Sequence, residues 1–208
     1  MASQTEILVN KIKAEPNALL IIERVQRELE EEKKKRQEFY DLIHEDIKAE
    51  FINGEIVMHS PVMLRHWKTS MSLSRAISNY VDKNDLGIVG VEKVMLNFTR
   101  NDYEPDIVFF SKEKAKEFTD EQLLFPPPDL IVEILSDSTK KRDRGIKFID
   151  YAAHGVYEYW IVDPAKKILE QYVLRNGEYT ILGTHGVESK FKAVVIKNFE
   201  IELKSIFE

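Results

Sequence analysis

No cysteine occurs anywhere in the 208 residues, so disulfides and thiolate ligands are excluded and any bound metal must be held by oxygen or histidine. That fits a reducing compartment. The chain also lacks an apolar run of the ~20 residues needed to cross a bilayer, and its start, MASQTEILVNKIK, has no signal-peptide core. A soluble, cytoplasmic protein without a membrane partner is expected. Glycine is scarce, at eight residues, and neither GxGxxG nor GxxxxGK is present, which removes the usual phosphate-cradling loops of nucleotide-binding proteins. An excess of positive charge is missing too. The net charge of −6 argues against a surface coated for non-specific nucleic-acid binding, but it leaves room for a local basic cleft.

What is present is 43% hydrophobic residues, enough for one packed domain with an extension. Residues 1–36 are expected to form an N-terminal helical extension, and residues 37–208 the domain. A long helix is expected over residues 17–45, with Leu19, Ile22, Val25 and Leu29 as a partial apolar stripe. Glu30 to Glu32 followed by Lys34 to Arg36 offer three i,i+4 pairs on it. Asn53-Gly54 between apolar runs marks a hairpin within residues 48–60. Pro61 then opens a helix to about Val81, with Leu64, Met71, Leu73, Ile77 and Tyr80 expected on its core side. Residues 88–98 and 101–110 read as two strands, and residues 112–125 as a charged excursion stopped by prolines 126–128. Later strands are expected at Tyr157 to Val162, Ile168 to Leu174 and Tyr179 to Leu182, with a last strand and a short terminal segment in residues 193–207.

The stretch over residues 129–151, DLIVEILSDSTKKRDRGIKFIDY, organises the rest. Side chains alternate across a strand, so Leu130, Val132 and Ile134 share one face and Ile131, Glu133 and Leu135 the other. Both faces are apolar except at Glu133, which suggests a central strand covered on both sides. A carboxylate there needs a cation, a metal or a proton. The residues Ser136 to Thr139 favour a helix start. A helix from near Lys141 places Lys147 about 9 Å back along its axis at ~1.5 Å per residue. Glu133 lies roughly 7 to 10 Å back from the strand end at ~3.3 Å per residue, so the two are level. Asp143, Lys147 and Tyr151 form a polar stripe at i, i+4 and i+8, while Ile146, Ile149 and Ala153 supply an apolar face. Asp106 begins the otherwise apolar strand toward Phe110 and repeats the anomaly of Glu133.

Two acids on adjacent strands with a lysine on the next helix suit phosphodiester hydrolysis. The carboxylates hold Mg²⁺, which takes hard oxygen ligands, and the lysine orients the attacking water or offsets charge on the phosphate oxygens. The same residues suit buried ion pairs, Glu133 with Lys147 and Asp106 with another base. Spacing does not separate the two.

The pieces EFINGEIVMHSP, His66, EPDIVFF, PDLIVEILSDST, RDRGIKFIDYAAHGV and EYWIVDP together resemble the PD-(D/E)XK nuclease superfamily. The resemblance is closer still to its bacterial branch of restriction-endonuclease-like proteins, the Uma-two family, over roughly residues 37–172. It implies an α/β (α+β) fold with a restriction-endonuclease-like core: a central mixed four-stranded sheet flanked by helices, beside the N-terminal hairpin and helical extension. It also implies Asp106 and Glu133 as the motif acids, Mg²⁺ as the metal with Mn²⁺ as a substitute, and DNA as the substrate, with RNA left open. The superfamily's usual lysine two residues after the glutamate is Leu135 here, and the resemblance suggests Lys147 as a migrated replacement. Glu55 matches a family glutamate and is a candidate third acid, against a solvent-facing strand residue. His66 is a candidate contact to phosphate or water, against a structural histidine. Asp143 is a candidate orienter of Lys147, against a surface pair. A homodimer is expected because a two-fold pair cuts both strands of a duplex most simply. The competing expectation is a module that keeps the fold and binds nucleic acid, or dimerises, without turnover.

Overall fold

In the computed structural model, which describes residues 4–43 and 47–208, the apolar character of Leu130–Ile134, broken only at Glu133, is explained by its place at the middle of a sheet. In chain order the elements are α1 (Gln4–Ala14), α2 (Ala18–Leu42), β1 (Ala49–Ile52), β2 (Glu55–Met58), α3 (Leu64–Lys83), β3 (Gly87–Val91), β4 (Met95–Asn97), β5 (Asp102–Tyr103) and β6 (Ile107–Ser111). There follow α4 (Lys112–Ala115), β7 (Leu124–Phe125), β8 (Leu130–Ile134), α5 (Lys140–Asp143), α6 (Ile146–Ala153), β9 (Glu158–Asp163), β10 (Ile168–Arg175) and β11 (Glu178–Gly186). The chain closes with β12 (Lys190–Lys192), β13 (Glu200–Glu202) and α7 (Lys204–Phe207). No helix among the described residues is long and apolar enough to cross a membrane.

The main sheet is mixed, in the order β11-β10-β9-β8-β6-β3, with β8 and β9 parallel and the other neighbours antiparallel. It is wider than the four strands expected, because β3 and the β10–β11 hairpin extend its two edges. One face, carrying Phe109, Leu130, Val132, Trp160 and Val162, packs against Leu73, Ile77 and Val81 of α3 and against the C-terminal segment through Phe199, Leu203 and Ile206. The opposite face, carrying Val108, Ile131, Tyr159 and Ile161, packs against Tyr151 of α6 and against Ile52, Leu96 and Tyr103 of a second sheet, ordered β2-β1-β5-β4-β7. The alternation read from the sequence is thus realised, with each face buried by a different partner.

Two expected strands are each divided between the sheets. Residues 88–98 become β3 and β4 because Glu92 and Lys93 both adopt left-handed backbone (φ 48°), which turns the chain out of one sheet into the other. Residues 101–110 become β5 and β6, separated at Glu104-Pro105-Asp106, where proline removes a ladder donor. Both Asn-Gly hairpins form as expected, with positive φ at Asn53, Gly54, Asn176 and Gly177. Leu64 and Met71 of α3, expected in the core, lie instead at its outer surface. Residues 193–207 hold the one strand and the short terminal segment expected, β13 and the helical turn α7, and β13 pairs with β12 just before them.

The long N-terminal helix runs unbroken through residue 36, and the expected end at residues 44 and 45 falls outside the described residues. Its expected i,i+4 ion pairs are replaced at two positions by ties to the domain. Glu32 takes both Arg100 bonds at 2.7 Å, and Arg36 grips Asp102 through Nε (2.6 Å) and Nη2 (2.8 Å). Asp102 is fully buried and also accepts from Tyr40 and Asn97. Phe39, packed on Phe51, completes this anchor. Asp102→Ala leaves a largely buried guanidinium without its charge partner, and is expected to cost about 3–5 kcal/mol in urea unfolding. A loss under ~1 kcal/mol would show the tie to be dispensable.

Candidate active site

Asp106 stands immediately before β6, and continuing the β6–β8 register places it opposite Glu133. Its Oδ2 accepts the Ile134 N–H at 2.7 Å, beyond the last backbone pair of that ladder, and lies 3.5 Å from His66 Nε2. Lys147 Nζ donates to Glu133 Oε1 at 2.8 Å, which confirms the levels estimated along strand and helix. The α6 helix achieves this by an inversion of its expected faces. The polar stripe Lys147 and Tyr151 is buried, while Ile149 is 70% exposed, because the sheet surface beneath it carries Glu133 and rewards a polar face. Gly145 separates α5 from α6. A Cβ there would sit 2.7 Å from the Lys141 carbonyl oxygen, so the close turn that aims Lys147 inward requires glycine.

Lys147 has two further acids. Its Nζ is 2.7 Å from Glu50 Oε1 and 3.6 Å from Asp143 Oδ1. Tyr151 also donates to Glu133 Oε1, at 2.7 Å. Glu50 belongs to β1 and accepts the Glu104 N–H at 3.0 Å, with His59 Nε2 3.5 Å from its other oxygen. Asp143 therefore does pair with Lys147. Glu55 does not join them: it is exposed on β2, at the sheet edge, one hairpin turn away from the strand that supplies Glu50. His66 lies beside Asp106, buried, with no hydrogen-bond partner at Nδ1.

Asp106, Glu133 and Lys147 line one cleft of about 610 Å³ that opens to solvent, and Leu135 forms part of its wall. Glu104 also lines it, 5% exposed, with Oε2 unpartnered. The lip carries Lys48, Arg65, Lys140, Arg142 and Lys166. The floor is acidic, while the lip is mixed: Lys48, Lys140 and Lys166 are paired with Glu92, Asp137 and Asp163, which leaves Arg65 and Arg142 as its cationic surplus.

Burial sets the electrostatics of the floor. It works against the Lys147 charge, but Glu133, Glu50 and Asp143 more than offset it, so the ammonium titrates well above its ordinary range. The same lysine is shared unequally. Burial alone would raise Glu50, yet Lys147 and His59 hold it at about 2, whereas burial together with neighbouring Asp143, Asp106 and Glu50 pushes Glu133 up to about 8. Glu50 is the firmly ionised partner and Glu133 the acid that takes up a proton first. Burial likewise raises Asp143 and pushes Glu104 up to about 7, against the pull of Lys48 and His59. Burial lowers His66, but Asp106 outweighs it and the net shift is upward.

Sequence reasoning missed Glu50 and Glu104. Glu50 showed the same sign as Glu133, an acid inside an apolar strand, Ala49–Ile52. Glu104 stood in the Glu-Pro-Asp segment, but only the fold shows that its carboxyl turns into the cleft.

Residues 36–203 match the family model Uma2, described as "Putative restriction endonuclease". Two proteins of Synechocystis sp. (strain ATCC 27184 / PCC 6803 / Kazusa), each described as an uncharacterized protein, are 28% identical to the chain. One is similar over 128 residues, 60% of this chain and 71% of the relative, and the other over 138 residues, 65% and 71%. A crystal structure of a "putative nuclease belonging to DUF820" from Anabaena variabilis superposes with a TM-score of 0.70. It shares 18% identity and covers 82% of this chain and 96% of that one. At that identity the likeness shows the fold, a restriction-endonuclease-like α/β arrangement.

The raised Glu104 carboxyl has a testable sign. A folded-state value of about 7 against an ordinary 4.5 means the folded form binds the extra proton, so its contribution is fully present below about pH 4.5 and fades as pH rises through 7. Glu104→Gln cannot titrate. Between pH 5 and 8 the wild type is expected to lose on the order of 1–3 kcal/mol relative to Glu104→Gln in urea unfolding. Parallel pH profiles for the two proteins would contradict the buried, unpartnered carboxyl.

Proposed function

The chain belongs to the Uma2 family, whose model is described as "Putative restriction endonuclease", and from that premise we propose that it is a metal-dependent nuclease hydrolysing phosphodiester bonds in DNA. The observation that carries the reading is the convergence of Asp106, Glu133 and Lys147 on the floor of one solvent-open cleft whose lip carries more cations than acids. Phosphates are drawn to the rim, and a divalent cation to the floor.

The donor set fits Mg²⁺ or Mn²⁺. It offers carboxylate oxygens without thiolates, and the orphaned Glu104 Oε2 marks acceptor capacity that the protein leaves unmet. Among the described residues no three His, Asp or Glu side chains already stand as a metal cage. Mg²⁺ is commonly held by only one or two carboxylates with waters and substrate phosphate, and Asp106 and Glu133 are the two proposed here. When bound, the ion supplies Lewis acidity and a more acidic water. Lys147, kept charged by its acids, acts as a cation toward charge developing on the phosphate rather than as a base. Glu50 anchors it, and Asp143 and His66 position Lys147 and Asp106. On a duplex, a two-fold dimer of this chain would present one site to each strand.

Plasmid cleavage in Mg²⁺ or Mn²⁺ is expected to fall by roughly 100-fold or more in Asp106→Asn and in Glu133→Gln, and activity unchanged in both would discard the assignment. Mg²⁺ is also expected to raise the melting temperature of the wild type, since a ligand that binds only the folded form stabilises it, and to do so less in Asp106→Asn. For the lysine, Lys147→Ala strands three buried acids and is expected to cost about 3–5 kcal/mol, so turnover is better compared in Lys147→Arg, per folded molecule. A turnover equal to wild type would leave Lys147 as an ion-pair partner only.

A further inference from the structure

The outer face of α3 has a composition that neither the core nor the acid cluster explains. Residues 64, 67, 68, 71 and 75 share one side of the helix at three- and four-residue spacing. Leu64, Trp67 and Met71 are 61%, 48% and 50% exposed, and Lys68 and Arg75 are exposed beside them. The opposite side, with His66, Leu73 and Ile77, is buried. The surface starts at the cleft itself, because Met63 and Arg65 line both the cleft and a second groove of about 500 Å³ bordered by Leu64 and Lys68.

Its charge is mostly positive, with Arg65, Lys68 and Lys167 in the groove against Glu208. No Asp or Glu occurs between Glu55 and Asp82, in a chain whose net charge is −6. An exposed apolar patch of this kind marks an interaction surface, and the charges decide for what. Around a two-fold axis the patch would meet itself and bring Arg65, Lys68 and Arg75 of both copies together with only Glu208 in the groove and Asp137 near Arg65 to offset them, which disfavours a second copy. Nucleic acid satisfies both halves of the surface. Phosphates take the cations, and a base ring takes the indole face. In a duplex that ring face is already covered by its neighbours, so the indole needs an unpaired base. Lys68 and Arg75 lie seven residues apart, about 10 Å along the axis at ~1.5 Å per residue, far enough to hold separate phosphates of one strand.

We propose that this face of α3 is a track for single-stranded DNA leading out of the cleft, with one base stacked on Trp67 and phosphates held by Lys68 and Arg75. The inference rests on the nuclease reading of the cleft and narrows its substrate to strands with unpaired bases beside the cut. The second tryptophan, Trp160, is fully buried, so the solvent-exposed emission of the protein reports on Trp67. Titration of the full chain with oligo(dT) in EDTA, where no cleavage occurs, is expected to quench that emission saturably. A duplex of equal length is expected to quench it less. By anisotropy, Trp67→Ala is expected to bind labelled oligo(dT) about 5- to 100-fold more weakly, and Trp67→Phe, which keeps a stacking ring, to retain most of the affinity. Unchanged affinity in Trp67→Ala, or binding that leaves the Trp67 emission untouched, would overturn the track. So would a dimer that Trp67→Ala converts to monomer in sedimentation while oligo(dT) affinity holds, since the face would then be a self-contact. Because binding is read without turnover, the track can fail while Asp106-dependent cleavage stands, and cleavage can be absent while the track stands.

Discussion

Lys147, a single ammonium only 2% exposed, holds the site together. Burying that charge alone would cost several kcal/mol, and three carboxylates from three different elements compensate it: Glu133 from β8, Glu50 from β1 and Asp143 from α5. The dependence runs both ways. The second sheet brings Glu50 inward because a cation waits there, and α6 turns its polar stripe to the sheet because Glu133 interrupts an otherwise apolar face. Glycine at residue 145 allows the tight turn that sets the helix at this height.

The cluster is not electrically closed. One ammonium serves Glu133, Glu50 and Asp143, and Asp106 and Glu104 add two more acids along the cleft, with His66, His59 and Lys48 near enough to respond. Excess carboxylate in a buried place must be met by protons or by an outside cation, and the upward shifts of Glu133 and Glu104 express that pressure. A site wholly satisfied by its own ion pairs would show no such residue of demand. The ion-pair and nuclease readings, left open by the spacing, are therefore not exclusive: the ion pair fixes Lys147, and the remaining acids line a cleft that is open to solvent.

The N-terminal helix relates differently to the domain. From Glu32 onward it is fastened by Arg100, Asp102 and Phe51, while Leu19, Ile22 and Val25 nearer its start remain exposed. The family match begins at residue 36, close to where this fastening begins. Charges that looked like local helix pairs, Glu32 and Arg36, are drawn away because a partly buried partner in the domain gives a stronger interaction than a solvated i,i+4 pair.

The central strand, its two apolar faces, the anomaly of Glu133, both Asn-Gly hairpins and the level match of Lys147 were legible before any fold was known, because they follow from local periodicity and fixed rises per residue. So were Asp106 and the family resemblance. The fold was needed to show that residues 88–98 and 101–110 divide between two sheets, that Leu64 and Met71 face outward, and that Glu50 rather than Glu55 reaches the lysine. Each of those depends on which distant element lies opposite. Side-chain alternation names two faces of a strand or helix but not the partner that covers either one, and a carboxylate two residues from a turn is indistinguishable from its neighbour until the opposing charge is in place.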